Sequence, residues 1–109
     1  MGCRAGLVMG TIIHNAIIIT GIDDDLDSVR ELAIDIFDYP IPELAYGKAN
    51  GYVSLFIPPD GSKEGWETSN QFNEMREGFI KGVKTLNKFV DIIEIAYGEC
   101  EARIVEDNY

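Results

Sequence analysis

Ala16-Ile17-Ile18-Ile19 is apolar at every position, so a strand built on it has two apolar faces. Successive side chains of a strand point to opposite faces. A strand that is apolar on both is central in its sheet, covered on both sides or on one side plus an interface. The strand is predicted over Ile12 to Ile22, and Gly21 is expected to end it. The rest of the chain must supply both covers.

Two helices can supply one of them. Asp23-Asp24-Asp25-Leu26-Asp27 opens the first, where acidic groups cap free N–H groups and suit the positive end of the helix dipole. Leu26, Val29, Leu32, Ala33, Ile36 and Phe37 then recur at three- and four-residue spacing as one apolar stripe, and Pro40 and Pro42 stop the helix. A second helix is predicted from Thr68, with Gln71 as its capping-box partner. Its stripe is Phe72, Met75, Phe79, Val83 and Leu86; acidic Glu74 and Glu77 precede basic Lys81, Lys84 and Lys88, and Glu77–Lys81 is a favourable four-residue pair. Gly78 and Gly82 each cost roughly 1 kcal/mol of helix propensity, which close approach to the first helix or the sheet would offset.

Between the helices, Ile41 to Lys48 reads as a short strand, Asn50-Gly51 as a turn, and Tyr52 to Ile57 as a returning strand. In the latter Val53, Leu55 and Ile57 face one way and Tyr52, Ser54 and Phe56 the other. Phe89 to Tyr97 forms a fourth strand, in which Val90, Ile92, Glu94 and Ala96 share a side, and Glu101 to Glu106 a fifth at the edge. The order β-α-β-β-α-β plus a terminal edge strand predicts an α+β fold, a ferredoxin-like α/β sandwich with two helices on one face of a mostly antiparallel sheet. Residues 11–109 form its single domain and residues 1–10 a flexible extension. Its other face, carrying Tyr52, Ser54 and Phe56, then needs a cover, and a homodimer or larger homo-oligomer is the expected one.

The chain has 109 residues, 46 % of them hydrophobic and 26 % charged, ordinary globular usage for one core. Its net charge of −10 argues against a phosphate-neutralising surface, hence against direct nucleic-acid binding. High solubility or docking on a basic partner both fit it. No apolar run approaches the ~20 residues of a membrane span. Cys3 and Cys100 form no metal-binding cluster and suit a reducing cytoplasm. Met1-Gly2-Cys3 resembles an acylation signal but has Gly6 where Ser or Thr is required; Met9 reads as an alternative start.

No catalytic constellation, cofactor motif or metal site stands out, and a non-enzymatic role is expected. His14, the sole histidine, has no Ser or Cys obviously paired with it. Asp23, Asp25 and Asp27 begin like a calcium loop, but Ser28 and Ile34 stand where it needs Gly and Glu. Gly61 and Gly65 lack the Gly-Lys-Ser/Thr of a phosphate cradle. Tyr52 and Phe56 on one strand face resemble an RNA-binding platform, without its glycine-aromatic motif or its charge. Lys63, Trp66 and Arg76 remain, around a helix start that attracts anions. With Trp66 as a stacking face they would hold a small phosphorylated or nucleotide-like ligand. Alternatively Trp66 is a lid on the core and Lys63 pairs with Glu64 or Glu67.

The segment NGYVSLFIPPDGSKEGW, Asn50 to Trp66, resembles a group of small uncharacterised bacteriophage and prophage proteins with an NGYxSFFIxPDGSKEGW-like pattern. An opening like His14 to Gly21 and a closing strand with an acidic tail, Val90 to Glu106, extend the resemblance over most of the chain past Met9. It implies a phage-borne accessory protein acting in the bacterial cytoplasm and brings no catalytic residue. Two modes of action against host defence follow: an oligomer that sequesters a small nucleotide-like signal at Lys63, Trp66 and Arg76, or an acidic inhibitor or adaptor that binds a host protein.

Overall fold

The computed structural model describes residues 13–49, 51–61, 67–86, 89–98 and 102–108. The N-terminal extension, both cysteines, Lys63 and Trp66 lie outside the described residues. The elements are β1 (Ile13–Ile22), α1 (Asp23–Ile36), β2 (Ala45–Tyr46), β3 (Tyr52–Ile57), α2 (Glu67–Thr85), β4 (Asp91–Gly98) and β5 (Ala102–Asn108). The class is α+β. The strands form one sheet in the order β2-β3-β1-β4-β5, and every neighbouring pair is antiparallel. β3 thus lies between β2 and β1, and β1 between β3 and β4.

The doubly apolar strand is the centre of this sheet, as its pattern requires. Its core face pairs Ile17 with Ile57, Ile19 with Leu55 and Ile19 with Ile92. Against them pack Leu26, Val29, Ala33 and Phe37 from the first helical segment and Phe79, Ile80 and Val83 from α2, all buried. Phe79 is fully buried and meets Phe37 edge to face, with ring centroids 5.4 Å apart, the arrangement that aromatic quadrupoles favour.

Several boundaries differ from the sequence reading. Ile22 is the N-cap of α1 and makes no side-chain cap bond, so Asp24 and Asp25 fall within the first turn, where acidic side chains complement the dipole. α1 ends at Ile36, ahead of the prolines, as Phe37 turns extended and its N–H bonds the Ala33 carbonyl. The strand expected over Ile41 to Lys48 shrinks to Ala45–Tyr46. Arg30 of α1 takes the carbonyls of Ile41 and Pro42 at 3.1 and 3.0 Å, and Pro42 has no N–H to offer a ladder. α2 begins at Glu67, placing Thr68 inside the helix rather than at its cap. Leu86 lies past the end of α2 and is exposed, while Arg76 and Ile80 join the buried stripe.

The two α2 glycines also differ. A Cβ on Gly82 would stand 2.8 Å from Leu32 Cδ2 of α1, so here the helices do approach closely. A Cβ on Gly78 would meet open space, and the expected close approach is not found there. The fifth strand is an edge strand, as expected, and runs longer, through Asn108, with an irregularity opposite Glu94/Ile95.

Candidate functional site

α2 and β4 bring a buried cation between two carboxylates. Arg76 lies on the core side of α2 and Glu94 on the core side of β4. Asp60 follows β3 by three residues. Arg76 Nη1 donates to Asp60 Oδ1 at 3.0 Å, and Arg76 Nε stands 3.6 Å from Glu94 Oε2. The side chains of Arg76 and Asp60 are 5 and 6 % exposed. Arg76 Nη2 donates to Asn73 Oδ1, and Asn15 Nδ2 of β1 donates to Glu94 Oε2 at 3.0 Å. Charges taken this far out of water persist only when paired and hydrogen-bonded, and this set provides both.

A second contact fixes the same loop. Tyr39 donates its hydroxyl to the Pro58 carbonyl at 2.8 Å. Its ring stacks edge-on against Phe37 and Phe72. Burial pushes the Tyr39 phenol up to about 12, with the Arg76 guanidinium working in the opposite direction and Asp60 and Asp38 adding to the rise. Pro58 and Asp60 are therefore tied down by Tyr39 and by Arg76 of α2, and Gly61 has φ +83°, a conformation that favours glycine.

Beside this cluster a cleft of about 380 Å³ opens to solvent, its walls including Asn15, Asn73, Arg76, Lys81, Lys84 and Glu94. Lys81 pairs with Glu77 at 3.2 Å on the exposed side of α2, the four-residue pair read from the sequence.

Arg76, expected as a ligand-facing cation, is at the cleft but carries Asp60 and Glu94 already. A phosphate arriving here would meet a cation whose charge is largely offset. Sequence reading missed Asp60, Asn73, Asn15, Tyr39 and Glu94. One signal was available: Glu94 shares its strand side with Ile92 and Ala96, and a carboxylate on a core-facing side demands a buried cation.

The opposite face of the sheet is built differently. Tyr52, Ser54 and Phe56 lie on it as expected, with Tyr52 and Phe56 exposed. The register sets Ile18 opposite Phe56, Ile22 opposite Tyr52, and His14 opposite Tyr97. His14 packs its ring 5.2 Å from that of Tyr97, on the far side of the sheet from the Arg76 cleft. Among the described residues no group of His, Cys, Asp and Glu side chains is placed to hold a metal ion, and no helix is long and apolar enough to cross a membrane. No protein family, curated protein or solved structure matches the chain.

Proposed function

We propose that this is a non-enzymatic binding protein that works from its helical side, holding a small polar, nucleotide-like ligand in the cleft between α2 and strands β1 and β4. The observation that carries this reading is the cleft beside Arg76, whose floor is fixed by a paired ion cluster and whose walls offer two asparagine amides and two lysines. A preformed concave site with a few placed polar groups is the usual form of a small-molecule site. In it Arg76 is a positioning residue that holds Asp60, and Lys81 and Lys84 are the cations for a phosphate, which Lys81 meets by giving up its solvent-exposed pair with Glu77, a pair worth little in water. The sole histidine sits on the other face of the sheet, which favours binding over acid–base turnover. The resemblance of Asn50 to Trp66 to phage proteins supports an accessory role in the bacterial cytoplasm, with sequestration of a host signal as the mode of action. The interleaved strand order supports the ferredoxin-like reading of the sheet.

The test is a titration with a panel of mono-, di- and cyclic nucleotides, followed by Trp66 fluorescence and thermal shift, with product analysis for turnover. A binder stabilises the folded state by mass action, and Lys81→Ala/Lys84→Ala is expected to weaken it while the fold persists. A panel that moves neither signal overturns the reading, and released product overturns its non-enzymatic part.

The net charge favours a second reading, an acidic inhibitor or adaptor for a basic host protein. Asp24, Asp27, Glu31 and Asp35 of α1 are exposed together. Such association weakens steeply with added salt, and a salt-insensitive complex would exclude it.

A further inference from the structure

We propose that the open face of the sheet seats a second copy of this chain in a two-fold homodimer, an inference independent of any ligand in the cleft. The face is continuous across four strands. Ile18, Ile22, Tyr52, Phe56, Tyr97 and Ile104 lie on it, each between 37 and 59 % exposed. The register joins them: Phe56 lies opposite Ile18, Ile18 opposite Ile93, and Ile95 opposite Ile104. Together the six expose on the order of 600 Å² and, with the half-buried Ile93, Ile95, Thr20 and Ser54 between them, come close to the ~800 Å² that each partner contributes to a standard interface.

Charge selects the occupant. From β3, β1 and β4 the only Asp, Glu, Lys or Arg on this face is Asp91, at the first residue of β4 opposite Thr20; the register places Asp107 of the edge strand opposite Ile93. The chain as a whole carries a charge of −10. Two such copies repel wherever their carboxylates meet and can approach across a face that has almost none. A basic partner would be drawn to the exposed carboxylates of α1 on the other side of the sheet.

The polar atoms in the middle of the face are already provided for. Thr20 Oγ1 and Ser54 Oγ lie 2.9 Å apart and hydrogen-bond each other. Each hydroxyl therefore keeps one hydrogen-bond partner when the face is covered. Two copies of one patch form a self-complementary interface about a two-fold axis, with the sheets about 10 Å apart. Both helical layers, and both clefts, then face outward.

Sedimentation velocity on the full chain tests this. The expected species has about twice the 12.1 kDa chain mass. Phe56→Glu is expected to weaken the dimer by at least about 30-fold, the scale of a hot-spot residue, while circular dichroism stays native. Tyr52→Ser, at a more exposed position, covers the case in which Phe56→Glu fails to fold. Lys81→Ala, on the helical side, should leave the dimer intact. Added salt should tighten the dimer by screening its net repulsion. A wild-type chain that stays monomeric at its highest soluble concentration overturns the proposal. So does a dimer indifferent to folded Phe56→Glu or Tyr52→Ser, or one that salt weakens.

Discussion

Arg76 Nη1 and Asp60 Oδ1 stand 3.0 Å apart with both side chains nearly sealed from water, so one ion pair joins the middle of α2 to the loop that leaves β3. The same guanidinium approaches Glu94 of β4 at 3.6 Å. Removing the cation therefore takes the ion pair away from two buried carboxylates.

Arg76→Met is expected to destabilise the fold by about 3–5 kcal/mol, the usual cost of breaking a buried pair from one side. Arg76→Lys should recover only part of this, because an ammonium cannot reproduce the fork that meets Asp60, Asn73 and Glu94 together. Urea midpoints of the three proteins decide it; equal midpoints would remove the cluster from the list of structural elements.

Tyr39 predicts a loss of stability in alkali. Its phenol is raised from 10.0 to about 12 in the folded protein, first through burial. A group whose folded pKa is raised contributes stability that is complete below the unfolded value and fades as pH climbs through the folded one. The Tm should therefore fall between about pH 10 and pH 12 more steeply in wild type than in Tyr39→Phe. Below that window Tyr39→Phe should be the less stable by about 1 kcal/mol, through the lost bond to the Pro58 carbonyl. Thermal melts of both proteins across the window measure the difference in slope.

The two helix glycines should respond differently to alanine. Gly78→Ala places a methyl in open space and is expected to stabilise by roughly 0.5–1 kcal/mol. Gly82→Ala must displace the Leu32 side chain from 2.8 Å, so its gain should be smaller or absent. Denaturant midpoints of the two single variants give the comparison directly.

Phe79→Ala should cost about 3–5 kcal/mol. The ring is fully buried between Phe37 and the sheet, and a backbone of helices and strands relaxes little around the void. Chemical denaturation monitored by circular dichroism checks this, and a loss below about 1 kcal/mol would mean that the core collapses onto the gap.

Alternation and helical spacing were sufficient to place the central strand, both helices, the third strand and the α+β class, because each of these is a local periodicity that burial then enforces. The fold of Tyr52 to Ile57, with Val53, Leu55 and Ile57 inward and Tyr52 and Phe56 outward, is the clearest case. The two-residue β2 was not legible in this way. It is short because Arg30, eleven and twelve residues before Ile41 and Pro42, takes their carbonyls, and a side chain's choice of backbone partner has no periodicity. The Arg76 cluster is the same kind of fact. Glu94 announced a buried carboxylate through its apolar strand side, but its meeting with Arg76 and Asn15 joins residues up to 79 positions apart. Only the packing of α2 across β4 brings those charges together, since ion pairing acts through space and the chain encodes its partners through the fold.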